Sequence, residues 1–249
     1  MQAIWNIISS TGLSDPAVPS FSGGGRTRAL TVVRRASVRG MKLSVDPRDA
    51  TVRLTLGTRA ALKPAIGWAV GKRSWVESEL ARLPQPRPIV PGMRFDLAGA
   101  AVQIDWCADR LRRVALDAET LSVGGPRDQL AARVLRFLRS HALTILEAET
   151  RDLAAAHGIS VSRVGVGDPR GRWGSCASSG DIRYSWRLIL APDEVRRATV
   201  AHEVAHRIHM DHGRAFHDLV ARLHGKDPES ARRWLRTHGT ALHWFGRDD

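Results

Sequence analysis

Ala201-His202-Glu203-Val204-Ala205-His206 is the stretch that decides how this chain reads. Histidines four residues apart share one face of a helix, so two imidazoles can converge on one ion. Zinc accepts neutral imidazole nitrogens at roughly 2.0–2.1 Å. Glu203 is one residue round from His202, beside such an ion rather than on it. A carboxylate there can take a proton from water that the metal has acidified. With ten histidines in 249 residues, chance yields this pattern on the order of once in a hundred such chains.

The flanking sequence suits a helix. Pro192-Asp193 opens it, and Val195, Ala198, Ala201, Ala205 and Ile208 form an apolar stripe beside the histidines. The helix is expected to bury that stripe and present His202 and His206 to a cleft. Catalytic zinc usually takes three protein ligands plus water, so one more is needed. On an unbroken helix His209 stands about 10 Å along the axis from His202, too far to share an ion. His212 comes within reach if the chain turns back after His209. Asp211-His212-Gly213 reads as that turn, with Gly213 supplying backbone freedom. His212 is the expected third ligand, His217 on the following helix is the reserve, and Asp218 is a lesser candidate. Zinc is the expected metal, although the donor set admits other divalent ions.

Further from the motif, helices are expected over residues 214–223 and 228–236. Upstream lie a strand over 160–166, a glycine-rich loop over 167–180 and a strand over 181–190. A long amphipathic helix is expected from 128 to 156, closed by Gly158. Strand-like alternation occupies residues 30–56, with a hairpin turn at Asp46-Pro47-Arg48-Asp49. A helix follows over 60–83, and then strands at 94–97, 101–104 and 114–116. The fold class is α+β. Residues 1–25 read as a flexible tail, 26–125 as a strand-rich N-terminal subdomain and 126–249 as the part that carries the chemistry.

The net charge is +13, almost all of it arginine, spread along the chain. That invites DNA or a DNA-bound protein as a partner, with Arg26, Arg28, Arg34, Arg35 and Arg39 as phosphate contacts. A coding bias toward arginine gives the same composition. Two cysteines make no disulfide framework, and no apolar run nears the roughly 20 residues that cross a bilayer. The expected setting is the cytoplasm, with no membrane contact.

A second segment, Arg172-Trp173-Gly174-Ser175-Cys176 through Asp181-Ile182-Arg183-Tyr184-Ser185-Trp186-Arg187-Leu188, joins the histidine motif and Asp211-His212-Gly213-Arg214-Ala215-Phe216. Together they resemble the YgjP-like metallopeptidase family, which looks related to the SprT-like (Spartan-type) zinc proteases. The resemblance implies a zincin-like, minimal gluzincin core of helices packed on a small sheet. It implies zinc on His202, His206 and His212, with Glu203 as general base. Spartan-type relatives act on proteins bound to DNA, which extends to this chain by analogy alone.

The reading is therefore a zinc-dependent metallopeptidase that hydrolyses peptide bonds of a polypeptide substrate. Trp173, Tyr184 and Arg187 are its candidate substrate contacts: Trp173 as a wall, Tyr184 or Arg187 as a donor to an oxyanion. The strand ending at Trp186 is a candidate edge for an extended peptide. Cys176 reads as a small buried residue. Two other readings compete: a DNA-associated zinc protein with gated or vestigial proteolysis, and a zinc amidase acting on a small molecule.

Overall fold

Alternation in residues 30–56 becomes strands, which together with Ser20–Gly23 form the chain's first sheet. The structure, a computed structural model, describes residues 18–248, and the chain divides between Leu83 and Pro84 into two units. The first unit holds β1 (Ser20–Gly23), β2 (Arg26–Arg34), β3 (Met41–Val45) and β4 (Val52–Leu56) in the order β1-β2-β4-β3. In β4, Val52, Leu54 and Leu56 are buried while Arg53 and Thr55 are half-buried, the period of two that a one-sided sheet requires. The Asp46 and Asp49 carboxylates close the β3–β4 turn by accepting the N–H of Arg48 and Thr51 at 3.0 and 2.9 Å. The helix expected over 60–83 is interrupted at Lys72, which leaves α1 (Leu62–Gly71) and α2 (Arg73–Ala81).

Of the tail expected over residues 1–25, residues 1–17 lie outside the described residues, and the remainder is not tail. Ser20–Gly23 pairs with β2 through a two-residue turn in which Gly24 and Gly25 both have positive φ. The arginines that follow are held in the fold. Buried Arg26 donates to the Leu80 carbonyl at 3.1 Å, and Arg34 donates to the carbonyls of Gly57, Thr58 and Ala60. Arg26 and Arg34 therefore belong to β2 and not to a loose segment.

The second unit opens with β5 (Arg94–Leu97), β6 (Ala100–Cys107), β7 (Val114–Asp117) and β8 (Thr120–Gly124), ordered β5-β6-β8-β7. Two hairpins joined by parallel inner strands thus occur in both four-stranded sheets, a likeness no periodicity in the sequence announces. The boundary falls at Pro84 rather than near residue 125, and the reason is packing. Phe95, Leu97, Val102, Ile104, Leu121 and Val123 share one buried cluster with Leu130, Val134 and Leu138. Those last three belong to α3 (Leu130–Ala156), which buries every fourth residue through Ala154. Gly158, at φ +65, ends it: the N–H of Gly158 reaches the Ala155 carbonyl (3.2 Å) and that of Ile159 the Ala154 carbonyl (2.8 Å).

A three-stranded sheet follows, with β11 (Asp181–Ser185) between β10 (Gly174–Cys176) and the parallel β9 (Arg163–Gly167). The strand expected to run to residue 190 stops at Ser185. Residues 186–190 wind into a 3₁₀ turn whose five side chains are all buried, a shape that strand alternation cannot satisfy. Three helices complete the unit: α4 (Asp193–Ala205), α5 (Arg214–His224) and α6 (Pro228–Leu242). α4 buries more than one stripe, since Val200 and Val204 are covered as well as Val195, Ala198 and Ala201, and Ile208 lies beyond the helix and exposed. Buried Arg196 ties α4 to α3 through a two-pronged contact with the Glu149 carboxylate, while its other arm meets Asp193 at 2.8 Å. Among the described residues no helix is long and apolar enough to cross a membrane.

Candidate metal centre

α4 ends at its second motif histidine. His206 is the C-cap, and the N–H groups of Ile208 and His209 both fold back onto the Ala205 carbonyl at 3.0 Å. The Asp211 carboxylate then accepts the Gly213 N–H at 3.0 Å, which turns the chain into α5. Gly213 itself is at φ −71 and ψ −179, ordinary extended backbone, so the turn is made by the aspartate and not by glycine's freedom.

This reversal returns His212 to the helix. Ring centroids stand 4.9 Å apart for His202 and His206, 5.3 Å for His202 and His212, and 4.8 Å for His206 and His212. One nitrogen from each of the three can be chosen so that all lie within 4.8 Å of one another, and among the described residues no other such group occurs. Fully buried Phe216 supports them, with its ring 4.5–4.9 Å from all three. His217 stands outside, 6.5 Å from the His212 ring and facing an Arg232 nitrogen at 3.4 Å. Asp218 faces Arg214 at 3.8 Å on the surface.

The protonation states suit a set of metal ligands. Nδ1 of His206 lies 3.0 Å from the His209 carbonyl oxygen, which can only accept. Nδ1 therefore carries the proton, and Nε2 keeps its lone pair. Burial, and then the charges of His206, Arg232, His212 and His217, push His202 down to about 3, so its ring is neutral. Burial also lowers His206, with the bond to the His209 carbonyl opposing the shift. Neutral imidazoles are what zinc binds. Tetrahedral zinc with bonds of about 2.0–2.1 Å sets its nitrogens about 3.4 Å apart, so side-chain adjustment of roughly 1 Å would bring His202, His206 and His212 onto one ion.

Glu203 is buried beside them, and burial pushes its carboxyl up to about 7 while the charge of Arg172 acts in the opposite direction. The backbone of β10 lies directly on it. A Cβ built on Gly174 would stand 2.3 Å from Oε1 of Glu203 and 2.6 Å from its Cγ, so only glycine permits the approach. Register pairs Gly174 with Tyr184 and Ser175 with Arg183, and the N–H of Ser185 bonds to the Trp173 carbonyl. In this antiparallel pattern the backbone groups of Gly174 and Cys176 point away from β11, toward the open edge of the sheet.

A cleft of about 230 Å³ opens against His202 and Glu203, walled by Trp173, Gly174, Val220, Ala231 and Leu235 among others. Trp173 is thus at the site. Its ring lies 5.4 Å from that of His243 and is seated over Gly239, where a Cβ would meet it at 2.6 Å. Tyr184 and Arg187 are not available to a substrate. Tyr184 is fully buried, its hydroxyl 3.0 Å from that of Thr150. Arg187 is buried in the 3₁₀ turn, gripping the Asp168 carboxylate with Nε and Nη2 and the carbonyls of Leu242 and Phe245 with Nη1. It fastens the C-terminal segment. The alternation that assigned Arg187 to a strand face does not extend to a 3₁₀ turn, whereas Tyr184 stays in β11 on its buried face. The candidate edge strand moves from β11, which is central, to β10. Cys176, on β10, lies outside the histidine cluster, and burial pushes its thiol up.

Sequence reasoning missed Gly174, Phe216 and the His209 carbonyl. A glycine inside a strand marks close backbone approach, so Gly174 carried a signal; the other two act only through the turn. A family model described as the YgjP-like metallopeptidase domain matches residues 39–238. Searches of curated proteins and of solved structures gave no match. The family match spans most of the chain, including α4, the turn after it and β10, and the chain belongs to the YgjP-like metallopeptidase family.

Proposed function

We propose that the chain is a zinc-dependent peptidase in which His202, His206 and His212 hold the metal and Glu203 is the general base. The carrying observation is the convergence of three neutral-capable imidazoles beside a buried carboxylate that faces a cleft. When bound, zinc supplies Lewis acidity, which polarises a carbonyl and acidifies water. Glu203 takes the proton from the attacking water on a carboxylate oxygen and returns it to the nitrogen of the leaving amine. The open edge of β10 lies against Glu203, so main-chain pairing to Gly174 and Cys176 lays an extended peptide across the carboxylate. That arrangement favours a polypeptide over a small amide. The α4 helix under the β10-β11-β9 sheet is read as a zincin-like, minimal gluzincin core.

The test is Glu203→Gln assayed on an unfolded protein substrate beside the unmodified chain. Zinc content stays nearly intact and turnover falls at least a hundredfold, the scale of a lost general base. Turnover equal to that of the unmodified chain refutes the assignment.

A further inference from the structure

The cleft beside Glu203 is a site in its own right. α4 contributes Ala198, Thr199, His202 and Glu203, α5 contributes Val220, and α6 contributes Pro228, Ala231, Arg232 and Leu235. Most of its surface is hydrocarbon. The Thr199 hydroxyl donates to the Val195 carbonyl at 3.0 Å, which occupies its proton within the helix. At about 230 Å³ it falls below the roughly 300–1,000 Å³ of pockets that enclose a whole small ligand. It suits one side chain.

Its position says which one. Glu203 must reach the nitrogen of the leaving amine to return a proton there, so the half of the substrate carrying that nitrogen lies on the Glu203 flank. The cleft is on that flank, with Glu203 and His202 in its wall and His206 and His212 outside it. We propose that this cleft binds the side chain of the residue following the cleaved bond, and that it selects bulky apolar residues such as leucine, isoleucine, methionine and phenylalanine there. Arg172 and Arg232 line the same cleft, so lysine and arginine are disfavoured by like charge. This inference rests on the peptidase reading above and adds the substrate class.

The experiment digests an unfolded protein with the zinc-loaded chain and sequences the new N-termini. In parallel it measures kcat/KM for peptides that differ only in the residue after the bond. New N-termini are expected to be apolar, and leucine is expected to exceed glycine at least tenfold, the discrimination a buried aliphatic side chain gives. Ala231→Leu, which fills the cleft, moves the leucine-to-glycine ratio toward one. Leu235→Ala, which widens it, shifts preference toward tryptophan, and it carries the test if Ala231→Leu does not fold. Cleavage without apolar preference, or ratios unmoved by both variants, overturns this inference and leaves the peptidase reading standing. No cleavage of any substrate by the zinc-loaded chain overturns both.

Discussion

Replacing Gly174 by alanine tests how β10 and α4 meet. Gly174 is not among the residues at positive φ, so alanine adds no backbone strain and acts through contact alone. The new methyl would stand 2.3 Å from Oε1, 2.6 Å from Cγ and 2.7 Å from Cδ of Glu203. An ordinary contact begins near 3.4 Å, so carboxylate and strand must separate by about 1 Å. Helix α4 cannot yield readily, being buried on several sides and tied to α3 through Arg196 and Glu149. Overpacking of this kind costs about 1–3 kcal/mol, a few degrees of melting temperature in a domain of this size. A general base misplaced by 1 Å loses about a hundredfold in kcat. The imidazoles are untouched, so zinc content stays at the unmodified level. The assay compares kcat on an unfolded protein substrate, metal content by elemental analysis and thermal unfolding. A Gly174→Ala chain that keeps more than half its kcat refutes the contact, and loss of zinc in step with activity refutes the account of how it acts.

His212→Ala should lower zinc occupancy by at least tenfold at limiting metal while His217→Ala leaves it within twofold, measured by competition with a chromophoric chelator; the reverse order would exchange their roles. Asp168 gives a pH prediction. Burial alone would raise its carboxyl, but the hydrogen bonds and charge of Arg187 hold it below the ordinary carboxylate value. A lowered folded pKa means that its contribution is fully present above the unfolded pKa, near 3.9, and disappears as pH falls through the folded value. Asp168→Asn should therefore destabilise the chain by about 1 kcal/mol near pH 7, because Arg187 loses a charged partner whose 38% exposure weakens the pair, and by less near pH 3. Denaturant midpoints that differ from the unmodified chain equally at both pH values would show that the pair carries no such linkage.

Much of the site was legible because its signals are local. The i, i+4 spacing of His202 and His206 is a property of one helix, and Asp211 announces a turn by short-range hydrogen bonding. α3 could be read from its fourfold burial stripe and from Gly158 for the same reason. Where reasoning failed, a distant contact had overruled a local period. Residues 186–190 carry four apolar side chains that a strand would show on both faces, and winding into a 3₁₀ turn buries all four together with Arg187. That turn buries Arg187 against carbonyls some 55 residues away and removes it from the substrate side. Residues 94–124 look like a continuation of the earlier strands, yet their apolar faces close on α3.

Sequence alone was enough to point to a helix carrying two histidines and a carboxylate on neighbouring positions, and to an α+β chain around it, because helix periodicity and donor chemistry reside within a few consecutive residues. Only the tertiary structure settled that His212 and not His217 joins His202 and His206, that β10 and not β11 is the open edge, and that Gly174 lies on Glu203. Each of those depends on where the chain goes after it leaves a regular element. Direction there is set by packing between residues far apart in sequence, which no local pattern encodes.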